Sequence, residues 1–437
     1  MKRSMKTIIS LLLLAMMLCL GLVNDMATTV EEEETPLASF HWVSDVHIEA
    51  APDVYRQALQ GMAAINADTN IGLIVTGDIT NYCKDTSYTQ FYGLTEHYSP
   101  VSAANTAIIM GNHDVRSASK SGWYSTPSGY NSETSNWEIA KNFYLSYNAE
   151  YMPSTDQVYH VKELGGYTFI MLNPERDLQD AMYMSEAQLA WLEQTLAAAY
   201  AKDPQKPVFI VSHQALMDTH AGSNAYNQTI YVGEKTPEES NAAIKEILAK
   251  YPTSIFLSGH MHHAFATSVG VVRPYGSFVE APALRDGGNG YEVQIYADRV
   301  VFRAVNYATG EYFPDEDITI SVGDSNVSRI YQAAQKVLAD ADSYDATEIA
   351  NIRALSDTLG GLITVSYANL DSFENFYTTT QHTEINEAAQ NLKTALDNLG
   401  VKGLSGGAIA GIVIGAVALL GGGGFALFWF VIRKKKA

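Results

Sequence analysis

Between residues 39 and 258, short apolar runs alternate with stretches of helical periodicity. The runs at 39–43, 71–75, 106–110, 167–172, 208–212 and 254–258 are read as buried strands, Ile71-Gly-Leu-Ile-Val among them. The segments 53–66, 86–98, 136–146, 185–202 and 237–250 carry the helical pattern. Ser185-x-x-Gln188, ahead of Leu189, Trp191 and Leu192, has the form of a capping box. Alternation of this kind predicts an α/β unit. After residue 264 the pattern changes, and 266–272, 277–281, 290–297 and 299–306 read as strands in succession. Gly287-Gly288-Asn289-Gly290 and Ala297-Asp298 supply turns between them. A strand-rich half after an α/β half predicts two stacked mixed β-sheets flanked by helices. From Ser325 the texture is helical, at 326–341, 346–363 and 383–399, which predicts a small all-α module over 325–400. In its last helix Ile385, Ala389, Leu392, Leu396 and Leu399 share one stripe.

Both ends carry apolar stretches of another kind. Lys2, Arg3 and Lys6 precede an apolar run from Ile8 to Val23, the pattern of a signal peptide over 1–27. Residues 28–37, with four successive glutamates, read as an acidic linker. No charged residue occurs from Gly406 to Ile432, a stretch longer than the ~20 residues that cross a bilayer. Arg433 to Lys436 follow at once. The pattern predicts one transmembrane helix at 406–432 and a cytoplasmic basic tail at 433–437, with the bulk of the chain outside the cell. Gly407, Gly411 and Gly415 are spaced to let two such helices pack closely, the basis for expecting a homodimer. The 325–400 module would stand between the preceding unit and the membrane, and it loosely resembles the helical FIVAR repeat of surface proteins.

Length and charge narrow the picture. A chain of 437 residues implies two or three units. Setting aside the +2 of residues 1–27 and the +4 of 433–436, the remainder carries -26. Such a surface excludes nucleic-acid polymers as partners, since their affinity comes from Lys and Arg on phosphates. A small phosphate ester can still enter a locally positive site. Beyond the leader Cys83 is the single cysteine, so no internal disulfide is expected.

Five clusters, each just after a strand, carry the chemistry. They are Asp45-Val-His47, Gly77-Asp78, Gly111-Asn112-His113-Asp114, Ser212-His213 and Gly259-His260-Met261-His262. Loops at the carboxyl ends of strands in α/β sheets converge on the ligand site. Together they would offer two carboxylates, one amide oxygen and four imidazoles. That mixed O/N set suits Mn, Fe, Zn, Co or Ni and, lacking thiolates, is not a structural zinc site. With two oxygens, Asp78 can touch two ions. Taken alone, Gly77-Asp78 is an ordinary turn and His213 an ordinary structural histidine; their joint presence argues against that reading.

The five motifs in this order resemble the calcineurin-like metallophosphoesterase family, over roughly residues 38–320. The resemblance implies a catalytic unit at 38–322 with an αββα sandwich. It implies two metal ions, with Asp45, His47 and His262 on the first, Asn112, His213 and His260 on the second, and Asp78 bridging. It further implies a metal-bridging hydroxide as nucleophile, His113 as hydrogen-bond or proton donor, and Asp114 as the residue orienting His113. Asn81 and Arg116, near the metal loops, are expected to face substrate. Asn81 also stands where purple acid phosphatases have the tyrosine of G-D-x-x-Y, so a Tyr-ligated ferric centre is not expected. Gly-Asn-His-Asp-Val-Arg116 looks more like the branch with cyclic-nucleotide and other small phosphodiesterases.

The expected function is a dinuclear metal-dependent phosphohydrolase at the cell surface, acting as a phosphodiesterase on a small extracellular phosphodiester or nucleotide. Two alternatives stay open: a phosphomonoesterase or nucleotidase, and a non-catalytic surface binding protein with a structural metal site. Loops 117–135, 173–184 and 218–235 are expected to wall the pocket.

Overall fold

Alternation along the central strands decides the layers. In β1 (Ala38–Val43), Phe40 and Trp42 join one apolar cluster and Val43 a second. In β2 (Asn70–Thr76), Ile74 joins the first cluster and Leu73 and Val75 the second. In β3 (Thr106–Ile109), Ala107 and Ile109 part from Ile108 in the same way. Successive side chains of a strand point to opposite faces, so this sheet is apolar on both and requires cover on both. The computed structural model describes residues 34–115, 136–178, 180–225, 228–265, 270–364 and 379–400. In it, helices Pro52–Ala64, Asp85–Tyr98 and Asn136–Tyr147 cover one face, burying Tyr55, Leu59, Tyr88, Phe91 and Tyr144. A second sheet covers the other face. Phe40 meets the rings of Phe169 and Phe209 edge-on across the interface, each at 5.2 Å.

The first sheet has seven strands. Its order is β15 (Glu311–Tyr312), β14 (Arg299–Asn306), β13 (Asn289–Ile295), β1, β2, β3, and β16 (Ile318–Ser321) also pairs with β14. The second has six, in the order β11 (Val271–Arg273), β12 (Gly276–Glu280), β10 (Ser254–Ser258), β8 (Val208–Val211), β5 (Tyr167–Met171), β4 (His160–Leu164). Both are mixed: the first is parallel from β1 through β2 to the β3 edge and antiparallel from β1 to β15, and the second has a parallel centre with antiparallel margins. Helices Glu186–Lys202 and Pro237–Lys250 add Leu192, Leu196, Ile244 and Ile247 to the core. A third sheet joins β6 (Asp177–Leu178), β7 (Ala181–Met184) and β9 (Ile230–Val232), where the sequence reading has pocket loops. At Ser185 only half of the expected capping box forms. Its hydroxyl accepts from Gln188 N, but the Gln188 amide is engaged with Asn173 instead. The full box is at Thr236 and Glu239.

Helices Val327–Ala339, Ala346–Ile363 and Thr379–Asp397 add to the same apolar core as the stacked sheets. Ile385, Ala389, Leu392, Leu396 and Leu399 are all buried, as one stripe requires. The helices are also bonded to the sheet margin, through Ser328 Oγ to Arg273 O, Arg273 Nη1 to Ile363 O, and Gln332 Nε2 to Pro274 O. Among the described residues no helix is long and apolar enough to cross a membrane. The expected signal peptide (1–27), span (406–432) and basic tail (433–437) lie outside the described residues, as does loop 117–135.

Candidate metal centre

The chain leaves β1, β2, β3, β8 and β10 through five loops that carry the histidines and acids. Because β1, β2 and β3 are parallel, and β8 and β10 are parallel, the carboxyl ends within each sheet share an edge. Bonds then stitch the two edges together. His260 N–H donates to Asp45 Oδ2 at 3.0 Å, and His213 Nδ1–H donates to Thr76 O at 2.6 Å. Among the described residues seven non-glycines have positive φ. Five of them are Asp45 (52°), His47 (44°), Asp78 (47°), His260 (76°) and His262 (55°). Each such conformation costs about 1–2 kcal/mol, and this clustering is the mark of a site whose side-chain directions matter more than local comfort. Two glycines make the close approach feasible. A Cβ on Gly111 would lie 2.1 Å from Asp78 Oδ1, and one on Gly259 1.8 Å from Ser44 Oγ and 2.6 Å from Asp45 Oδ2.

Two groups of donor atoms result, Asp45, His47, Asp78 and His262 in one and Asp78, His213 and His260 in the other, each within 4.8 Å. Asp78 belongs to both. Its Oδ2 lies 3.2 Å from His213 Nε2 and 3.6 Å from His47 Nε2, and Asp45 Oδ1 lies 2.9 Å from His262 Nε2. Second partners aim the rings, as they do for metal-ligating histidines. His47 Nδ1 is 2.6 Å from Asn81 Oδ1, an acceptor, so Nδ1 carries the proton and Nε2 turns its lone pair inward. Thr76 O does the same for His213. The Nε2 atom of His260 is buried without a hydrogen-bond partner, a state that costs about 1–3 kcal/mol in the absence of a compensating ligand. This donor set, carboxylates and inward-facing imidazole nitrogens, fits cations.

Burial sets the charges. It lowers His47 to about 4 and, with the charge of His213, lowers His260 to about 3, so both stay neutral and able to donate a lone pair. Burial would lower His213 as well, but Asp78 and Asp45 outweigh it and raise this histidine to about 9. Against the effect of burial, His262 and His213 hold Asp45 below the ordinary carboxylate range, and His213, His113 and His47 hold Asp78 well below it.

Asn112 is buried, with its Oδ1 3.5 Å from Gln214 Nε2. His113 N–H donates to Asp78 Oδ1 at 2.8 Å, and His113 Nε2 faces Asp78 Oδ2 at 3.9 Å. The expectation that Asp114 orients His113 is corrected. Both Asp114 oxygens are taken, accepting from Ile79 N, Gly111 N, Thr80 N and Thr80 Oγ1 at 2.8–3.1 Å. His113 is held by the Asn81 carbonyl, 3.0 Å from its Nδ1. Asn81, expected to face substrate, gives its side-chain oxygen to His47. Arg116 lies outside the described residues. Two residues were not legible in the sequence. Gln214, next to His213, ties the Asn112 oxygen to Asp180 O. Arg285 brings a guanidinium to His262, Nη2 lying 3.2 Å from Nδ1. Adjacency to a ligand was the available signal for Gln214; Arg285 had none.

A family model described as calcineurin-like phosphoesterase matches residues 38–264. No curated protein matches the chain. Similar solved structures include one titled GAP50, the anchor in the inner membrane complex of Plasmodium, with 8% identity over 65% of this chain and 88% of that one and a TM-score of 0.37. Another is a hypothetical protein, PH1004, from Pyrococcus horikoshii OT3, with 11% identity over the same shares and a TM-score of 0.29.

Proposed function

The chain belongs to the calcineurin-like phosphoesterase family, and on that premise we propose that it is a dinuclear metal-dependent phosphodiesterase for a small phosphodiester or nucleotide. The observation that carries this reading is the shared carboxylate: Asp78 stands in both donor groups, with Asp45, His47 and His262 on one side and His213 and His260 on the other. A pair of divalent cations held there would supply positive charge against the phosphoryl oxygens and an acidified water for in-line attack on phosphorus.

The chain's own residues do the rest. Glycine-mediated close approach and the left-handed ligand backbones fix the carboxylates before substrate arrives, so little reorganisation accompanies binding. The Asn81 carbonyl accepts from His113 Nδ1–H and so leaves Nε2 facing the site; only as the imidazolium, with a second proton on Nε2, would His113 donate to the leaving oxygen, and that proton would pass to the leaving group. The uncharged stretch at 406–432 and the basic residues after it support an outward-facing catalytic unit anchored in a membrane.

The test uses the full chain, stripped of metal and reloaded with Mn, Zn or Fe, with bis-p-nitrophenyl phosphate beside p-nitrophenyl phosphate. Asp78→Asn is expected to abolish turnover with the metal lost. His113→Ala is expected to keep metal while kcat falls about 10²- to 10⁴-fold. A preference for the monoester would establish the phosphomonoesterase instead. Bound metal without turnover of either compound or of natural nucleotides would establish a binding protein.

A further inference from the structure

Arg285 has no part in the donor groups, yet it is built into their margin. It lies on a short turn, Leu284–Asp286, that follows β12. Leu284 N–H donates to Ser44 O at 2.9 Å and Arg285 N–H to Asp45 O at 3.2 Å, so the turn is fastened to the backbone of the first ligand loop. The side chain then reaches His262, where Nη2 lies 3.2 Å from Nδ1. Its ion pair is with Asp286, at 3.5 Å from Nε, and that carboxylate is itself 59% exposed. Among the described residues these are its side-chain partners. The Arg285 side chain is 32% exposed, and its guanidinium keeps N–H donors beyond the one facing His262.

A fixed cation beside a cluster suited to cations is unfavourable by itself, because like charges repel most where water is thin. The arrangement becomes favourable when an anion joins both. A guanidinium with spare, coplanar donors is the side chain best shaped to take two oxygens of one phosphoryl group. We propose that Arg285 is a substrate-binding residue that grips the non-bridging oxygens of the substrate's phosphate and sets the preference for anionic esters. This rests on the phosphoesterase reading for the identity of the anion. The contact with His262 is where the guanidinium rests.

The experiment compares the wild-type full chain with Arg285→Gln, Arg285→Ala and Arg285→Lys, all loaded with Mn. Bound metal is counted, orthophosphate binding is measured by calorimetry, and KM and kcat are measured with bis-p-nitrophenyl phosphate. The expected result is unchanged metal content with orthophosphate Kd and KM raised about 10- to 100-fold in the Gln and Ala variants, and partial recovery in the Lys variant. Unchanged Kd and KM would overturn the proposal and leave the phosphoesterase reading intact. Loss of bound metal in both Gln and Ala variants would also overturn it, making Arg285 a support for His262. If the wild type turned over no ester, the phosphoesterase reading would fail, and the calorimetric comparison would still decide whether Arg285 binds phosphate.

Discussion

Neighbouring residues in the chain need not be neighbours in function, and His113 and Asp114 show why. They occupy a 3-10 turn, His113–Val115, in which successive side chains diverge by about a third of a turn. His113 therefore faces Asp78 while Asp114 points into the loops behind it, accepting four hydrogen bonds from 79, 80 and 111. Asp114→Asn is thus expected to leave buried donors without an acceptor, cost about 1–3 kcal/mol and loosen metal retention. His113→Ala should instead leave Tm unchanged and lower kcat. Thermal denaturation read beside kinetics separates the two; equal kcat losses at unchanged Tm would restore the orienting role of Asp114. His213 supports a pH prediction. Raised to about 9, it holds a proton below that pH, and a cation must displace it. Metal affinity should therefore rise about tenfold per pH unit between about pH 6 and 9, measured by competition with a chelator. A flat dependence would show that His213 carries no proton for the metal to displace in this range. The residues of the two donor groups were legible because each follows a strand in a short motif; which way a side chain turns within a 3-10 turn, or that Arg285 returns to Asp45 from β12, has no local signature.

At the level of elements, legibility followed length. The strands at 39–43, 71–75 and 254–258 are long apolar runs, and all are present. The sheet β6–β7–β9 was unread because its strands are two, four and three residues long and pair across a large sequence separation. It turns the expected pocket loops at 173–184 and 218–235 into a paired wall, tied to the ligand loop by Gln214 Nε2 on Asp180 O at 2.8 Å. The last helix was legible from its stripe, but its partner was not. Leu392 is fully buried in the core that the stacked sheets share. Leu392→Ala is expected to cost about 2–5 kcal/mol, seen as a lower Tm in calorimetry. An unchanged Tm would mean that this helix adds nothing to the stability of the sandwich.

For the whole molecule, that shared core predicts one cooperative transition for residues 38–400 rather than two. A separate transition at lower temperature would show that the C-terminal helices fold alone. On the proposed reading, two bound cations would make the site locally positive within an acidic chain, and an anion would meet attraction where the loops converge, which would favour small esters over polymers. The most direct test of the account is a metal titration of the stripped full chain, following bound Mn and bis-p-nitrophenyl phosphate turnover together. The account predicts that turnover appears as binding approaches two ions per chain, and that Asp78→Asn abolishes both. Saturation with two ions and no hydrolysis of this diester, of the monoester or of natural nucleotides would contradict it.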